Sequence, residues 1–187
     1  MISYNELKKG MTIILEGAPY EVLESNHMKK AQRRPVIQTK LRNLFSGGVL
    51  ERNFKQGEAF EEAELKKLKA KFVYSHKDKY FFSEESNPSS RFDLGSEQLG
   101  EQTKFLKGNQ PVEALIFNEQ VINIALPIKI HLKVVEAPPG IKGDRAQGGT
   151  KSVVLETGTV IQAPLFINQG DTIEINTQTQ EYVKRAE

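Results

Sequence analysis

Cysteine and tryptophan are both missing from this 187-residue chain, and histidine occurs three times. Without cysteine there is no disulfide framework, thiolate metal site or thiol nucleophile. His27, His76 and His131 lie far apart and show no His-x-x-x-His or carboxylate spacing of a metal centre. His27 reads as a surface residue at a strand end, and His131 as the outward position of an alternating strand. No apolar run approaches the roughly 20 residues of a membrane span. The segment Met1-Ile-Ser-Tyr-Asn-Glu6 lacks the apolar core of a signal peptide. Glu61, Glu62 and Glu64 read as a solvated acidic face rather than as paired catalytic carboxylates. The expectation is a cytoplasmic protein without membrane partner, metal or cofactor, and not an enzyme: no catalytic residue is assigned.

The net charge is only +2, yet the charge is unevenly distributed. Between His27 and Arg42 stand six basic residues, Lys29, Lys30, Arg33, Arg34, Lys40 and Arg42, and no acid. From Glu51 to Glu64 five acids face only Arg52 and Lys55, and Lys66, Lys67, Lys69 and Lys71 follow. Basic clusters on a near-neutral chain point to local contact with a polyanion. The competing reading is a set of solvated faces, which suits Lys66 to Lys71 best, beside a domain junction.

Turn signals and period-2 alternation divide the chain into many short strands. In the first block, strands are expected at 11–16, 19–25, 35–44 and 49–54, split by Glu16-Gly-Ala18 and Ser46-Gly-Gly48. The second block holds strands at 69–75, 79–83, 112–117 and 120–125, with hairpin turns at Ser75-His-Lys-Asp78 and Phe117-Asn-Glu119. Between them, Gly95 to Leu106 suits one short helix, with Ser96 as cap and Leu99, Phe105 and Leu106 as its apolar face. Phe81, Phe82 and Phe105 read as core. In the third block Ile128, Ile130, Leu132 and Val134 alternate, as do Val153, Leu155 and, after the Gly158 turn, Val160. No internal repeat is evident, although the second and third blocks are alike in length. This pattern predicts an all-β protein of several small barrels, divided at 1–64, 65–126 and 127–187.

One run stands out: Ala137-Pro-Pro-Gly-Ile-Lys-Gly-Asp-Arg-Ala-Gln-Gly-Gly-Thr-Lys151, followed by Ser152 to Gly170. Its glycines favour a loop, its cations Lys142, Arg145 and Lys151 outnumber the single acid Asp144, and both flanks alternate like strands. A basic, glycine-rich loop between strands suits phosphate contact. The run resembles the C-terminal domain of the bacterial elongation factor P family, whose pattern is Pro-Gly-(Leu/Ile)-Lys-Gly-Asp, then Gly-Gly-x-Lys, then Thr-Gly-x-x-(Ile/Val). The resemblance extends to Leu7-Lys-Lys-Gly-Met11, Gly17-Ala-Pro-Tyr-Glu-Val22, Thr39-Lys-Leu-Arg-Asn-Leu44, Phe54-Lys55, Gly170-Asp-Thr-Ile-Glu-Ile175 and Tyr182-Val-Lys-Arg185, in family order across the whole chain. It implies an SH3-like (KOW-type) N-terminal barrel followed by two OB-fold barrels.

It also implies a function. The family's members bind the 70S ribosome between the P and E sites, contact P-site tRNA and rRNA, and promote peptide-bond formation at consecutive prolines; a monomer is expected. The loop between the strands at 19–25 and 35–44 is implied to reach the tRNA acceptor end. The family pattern there is Lys-Pro-Gly-(Lys/Arg)-Gly-x-Ala, and an enzyme often modifies its tip. Lys29 matches the first lysine, Lys30 and Ala31 replace Pro-Gly, and Gln32 falls at the tip, followed by Arg33 and Arg34. Glutamine does not take the lysine or arginine modifications. Three readings stay open: an unmodified tip with Arg33 or Arg34 supplying the cation; a one-residue shift making Arg33 the modification candidate for a tip-modifying enzyme; or a loop that is only a solvated basic turn. Lys40 and Arg42, and in the C-terminal loop Lys142, Asp144, Arg145 and Lys151, are the further nucleic-acid candidates. The alternatives are a general RNA-binding protein of OB-type barrels and a diverged elongation factor P-like paralogue with another target.

Overall fold

The computed structural model describes residues 1–28, 36–139 and 149–186. These build three antiparallel sheets in sequence order. The first contains β1 (Ile2–Ser3), β2 (Thr12–Leu15), β3 (Ala18–Met28), β4 (Val36–Asn43), β5 (Val49–Lys55) and β6 (Ala59–Glu62), in the spatial order β1-β6-β2-β3-β4-β5. Its inward faces join Leu7, Ile13, Val22, Leu41, Phe54 and Phe60 in one apolar core. Phe54 and Phe60 pack with ring centroids 4.4 Å apart, a favourable tilted contact.

The second sheet contains β7 (Lys66–His76), β8 (Lys79–Glu84), β9 (Arg91–Gly95), β10 (Pro111–Phe117) and β11 (Gln120–Ala125). Between β9 and β10 lie a one-turn helix, α1 (Ser96–Leu99), and a 3-10 segment, Gly100–Phe105. The hairpin turns at both expected positions are present. Asn118 and Glu119 both have positive φ, the signature of the tight turn that matches strand twist. The third sheet contains β12 (Lys129–Glu136), β13 (Thr150–Leu155), β14 (Val160–Pro164), β15 (Thr172–Asn176) and β16 (Glu181–Arg185).

Numbered within each sheet, the second and third share one spatial order, 3-2-1-4-5. In both, the third and fifth strands lie at opposite edges of the sheet and come into contact, β9 with β11 and β14 with β16, so each sheet curls toward closure. The chain is thus all-β, one KOW-like unit followed by two OB-like units of the same topology. The likeness of the last two is carried by strand order and inward positions, which is why no repeat is visible in the residues themselves.

Several local expectations are corrected. Ser96 does not cap the short helix; it is the first helical residue, Gly95 occupies the cap position, and no side chain bonds the helix N-terminus. Five strands, β1, β6, β9, β15 and β16, lie outside the strands expected from the sequence, and β3 runs three residues further, to Met28. Ile128 lies before β12 and is 54% exposed; alternation begins one step later, with Ile130, Leu132 and Val134 inward and Lys129, His131 and Lys133 outward. Val160 is also exposed, because the Gly158 turn shifts the frame so that Ile161 and Ala163 face inward. Phe82 and Phe105 are buried, whereas Phe81 points outward and stacks on Tyr74.

Glu174 on β15 is buried opposite His131 of β12, with Lys129 Nζ 3.2 Å and His131 Nε2 3.4 Å from its carboxylate. The hydrogen bond from Lys129 holds its pKa below the ordinary carboxylate value, against the opposing effect of burial. A depressed folded-state pKa stabilises the fold fully above the unfolded value, near pH 4, and the gain disappears as pH falls through the folded value. The urea midpoint of the native protein is therefore expected to exceed that of Glu174→Gln at pH 7. The gap should close on acidification below about pH 4. An equal gap at pH 7 and pH 3 would show that the carboxylate's charge contributes nothing.

Candidate nucleic-acid interface

The long hairpin of β3 and β4 carries residues 29–35 at its end. Its strands pair from Tyr20 with Asn43 to Met28 with Val36, with an irregularity between Val22 and Glu24. Beyond Val22 the hairpin outgrows its neighbour β2, which pairs with β3 only from Ala18 to Glu21. Two supports brace the extension. β5 runs beside β4 as far as Val36, which pairs with Lys55, and Thr39 donates its hydroxyl to the Arg52 carbonyl at 2.8 Å. On the other side, the Ser25 hydroxyl donates to the Leu7 carbonyl at 2.8 Å. Buried Val22 and Leu41 fix the root of the hairpin in the first core, and Ile37, paired with Phe54 of β5, is buried close to its far end. On β3 the far end is exposed on both faces, with Asn26, His27 and Met28 all open to solvent.

Lys40 and Arg42 stand on β4, and strand pairing changes their meaning. Lys40 is directly opposite Glu24 and Arg42 directly opposite Glu21, each cation 3.9 Å from its acid. Such exposed pairs contribute about 0–1 kcal/mol, but they offset the positive charge along the hairpin's shaft. In sequence these acids precede the basic run; in space they lie beside it. The net positive charge of the run is therefore carried by residues 29–35. Lys29, Lys30, Gln32, Arg33 and Arg34 themselves lie outside the described residues.

The second candidate loop joins β12 to β13. Lys142, Asp144 and Arg145 also lie outside the described residues. Lys151 is buried, and its ammonium donates to the Pro138 carbonyl at 2.7 Å, tying the first residue of β13's inward face to the start of the loop. Its hydrogen bond links the two ends of the loop at its base. Arg52, which the sequence sets among the acids of 51–64 rather than with the site candidates, is a further cation beside the hairpin, bonded to Glu16 at 2.9 Å and lying 5.7 Å over the Phe54 ring.

The hairpin is anchored to the second sheet through the turn after β4. Asn43 Oδ1 accepts from the Phe45 and Ser46 amides and shapes this turn. Phe45 meets Phe117 edge to face at 6.1 Å. Buried Asn123 of β11 donates to the Gln98 carbonyl at 3.0 Å and accepts from the Ile124 amide at 2.8 Å. Gly47 has φ +74°, and a Cβ there would stand 1.9 Å from the Glu97 carbonyl oxygen, an impossible approach against backbone. Gly47→Ala is therefore expected to cost about 2–4 kcal/mol from overpacking and left-handed strain together. Thermal melts measure it; an unchanged melting temperature would show that the turn is not held against α1.

The junction of the second and third sheets is equally specific. Phe105, from the 3-10 segment of the second unit, is buried in the core of the third with Ile130, Leu132 and Ile173. Thr159 donates to the Lys104 carbonyl at 2.7 Å, and Lys107 donates to the His131 carbonyl at 2.7 Å. Glu101 accepts from Lys104 and from Gln180 of the third unit, and these hydrogen bonds hold its pKa below the ordinary carboxylate value. The two candidate loops are thus carried by units joined through defined contacts.

Among the described residues no helix is long and apolar enough to cross a membrane. A braced basic hairpin on a KOW-like unit, followed by two OB-like units, defines a class of multi-barrel β proteins suited to binding nucleic acid. Comparison with known proteins is specific. The family described as "Elongation factor P (EF-P) KOW-like domain" matches residues 3–73, and "Elongation factor P, C-terminal" matches residues 130–185. The chain is 43% identical over 186 residues to elongation factor P of Moorella thermoacetica, covering 100% of both chains. It is 40% identical over 185 residues to elongation factor P of Carboxydothermus hydrogenoformans, covering 99% of this chain and 100% of that one. A solved structure titled eukaryotic translation initiation factor 5A from Methanococcus jannaschii aligns over 64% of this chain and 89% of its own, with a TM-score of 0.43 and 15% identity. The chain belongs to the elongation factor P family of translation factors.

Proposed function

We propose that this protein binds the ribosome between the P and E sites as a monomer in the cytoplasm and accelerates peptide-bond formation at consecutive prolines. The observation that carries this reading is the β3–β4 hairpin, which presents the basic segment 29–35 on a stiff, doubly braced shaft within a chain that matches its relatives from end to end. Lys29, Lys30, Arg33 and Arg34 donate to phosphates and bases at the acceptor end of P-site tRNA, with Gln32 at an unmodified tip. Arginine suits this task, because its planar fork bonds phosphate oxygens in pairs and stacks on bases. Lys142, Asp144 and Arg145 contact RNA from the third unit, while Lys151 holds the base of that loop.

The chemistry of the bond remains with the ribosome. The factor's share is positional: it holds the tRNA end, and with it a poorly oriented prolyl ester, near the reactive geometry, which lowers the entropic part of the barrier. A hairpin already ordered along its shaft loses little entropy on docking. Lys40 and Arg42, with their charge offset by Glu24 and Glu21, make lesser backbone contacts.

Binding to purified ribosomes tests the reading against that of a general RNA-binding protein. Ribosomes with a tRNA in the P site and an empty E site are expected to retain the protein at salt concentrations that release it from free single-stranded RNA. Equal retention on both would overturn the proposal.

A further inference from the structure

The outward face of the second sheet carries an aromatic pair that the β3–β4 hairpin and the C-terminal loop do not use. Tyr74 of β7 and Phe81 of β8 are cross-strand partners whose rings stack 4.6 Å apart at 14°. An irregularity between Phe72 and Tyr74 turns Tyr74 out of the core pattern. Phe81 covers one face of the Tyr74 ring, yet Tyr74 stays 46% exposed, so its remaining exposure belongs to the other face and the edge. A solvent-facing π surface of this size, extended by a second ring, is a ready platform for a flat heterocycle.

Cations flank this platform on both sides along the strands, while Asp93 of β9 stands directly opposite Phe81. In one direction, the next outward row contains Lys71, opposite Ser83, and Arg91, which is also opposite Ser83. In the other direction lies Lys79. Two residues of strand separate the rows by about 7 Å, the scale of a nucleotide's base-to-phosphate reach. Lys71 is 3.7 Å from Glu85 and Lys79 is 2.9 Å from Asp93, while Arg91 is exposed and makes no ion pair among the described residues. Phe81 and Arg91 lie on the second and third strands of this OB-like unit, the strands whose face takes oligonucleotides in OB-type barrels, and Tyr74 adjoins them from the first strand.

We propose that Tyr74 and Phe81 form a stacking site for an unpaired RNA base, with Arg91, Lys71 and Lys79 receiving the flanking phosphates. The proposal rests on the reading that RNA is this protein's partner, and it adds a second RNA-contacting surface to it. A plain cross-strand aromatic pair would stabilise the sheet by a fraction of a kilocalorie without needing an open ring face or cations on both sides. Base stacking on an aromatic side chain tolerates any base, so the site selects single-stranded RNA and not a sequence.

The test measures binding of labelled decaadenylate RNA to the full chain by fluorescence anisotropy at low salt. Tyr74→Leu, which keeps apolar area and removes the ring, is expected to weaken binding about tenfold with an unchanged salt slope. Tyr74→Phe should bind like the native protein. Arg91→Gln should instead lower the salt slope by about one phosphate contact. Ultraviolet cross-linking of the native protein, followed by mass mapping, should place the adduct on the peptides of β7 and β8, and this readout does not depend on how a variant folds. Tyr74→Leu binding as tightly as the native protein, cross-links confined to other segments, no binding by the native protein, or equal displacement of the RNA by polyglutamate would each overturn the proposal. A native protein that cross-links at β7 and β8 yet fails to prefer P-site ribosomes would overturn the proposed function alone.

Discussion

Replacing Arg33 and Arg34 together with alanine is expected to abolish the acceleration of consecutive-proline synthesis while leaving thermal and urea transitions unchanged. The argument is one of charge and location. Along the hairpin's shaft the cations Lys40 and Arg42 face Glu24 and Glu21, so the free positive charge of the basic run is at its end. Hydrogen bonds from a charged donor contribute about 1.5–3 kcal/mol each. Losing two such contacts to a tRNA end therefore costs on the order of 100-fold or more in binding. The hairpin's framework depends on other residues: Ile37 and Phe54 in the core, Thr39 bonded to Arg52, and Ser25 bonded to Leu7. Activity retained in the double variant would remove the acceptor-end assignment.

The second large effect concerns Phe105. Although its chain position is in the 3-10 segment of the second unit, its side chain fills the core of the third and is 1% exposed. Phe105→Ala deletes a ring from a packed interior and leaves a cavity, which costs about 3–5 kcal/mol. Because the ring bridges two units, the loss should be uneven. Hydrogen exchange is expected to show β12 and β15 amides losing protection while those of β3 and β4 keep theirs. Uniform loss over all three sheets would contradict the placement of Phe105 as a link to the third unit alone. Leu126, packed against both cores, adds to the same link.

The fold was legible where one face of a strand is buried and the other is solvated. In β12, Ile130, Leu132 and Val134 alternate with Lys129, His131 and Lys133, and both sequence and structure give the same reading from Ile130 onward. It was illegible where burial is weak. β9, Arg91-Phe-Asp-Leu-Gly95, offers two inward residues, Phe92 and Leu94, alternating with two charges, too few for a periodic signal. The end of β3 was missed for a similar reason: Asn26 and His27 are exposed on opposite faces, and what makes them a strand is pairing with Gln38 and Ile37. Phe81 shows the converse error. An aromatic residue reads as core by composition, but Phe81 alternates with buried Phe82 along β8 and so faces outward, where the irregularity in β7 brings Tyr74 beside it.

For the candidate site, the type of chemistry was legible and its local charge was not. The basic run is evident in the residues, whereas the cross-strand partners Glu21 and Glu24 become its neighbours only through hairpin register. Lys151 likewise reads as a loop cation by position; the structure buries it and commits its ammonium to Pro138. Contacts between units, such as Gly47 against Glu97, leave no local sequence signal, because the two residues are 50 positions apart and meet only in the folded chain.

The most direct test of the account is the rate of Pro-Pro-Pro tripeptide formation on purified ribosomes, with and without this protein, made in a host that lacks tip-modifying enzymes. The account predicts a clear acceleration, with the unmodified Gln32-Arg33-Arg34 tip sufficient. A folded, ribosome-bound protein that leaves the rate unchanged would contradict it.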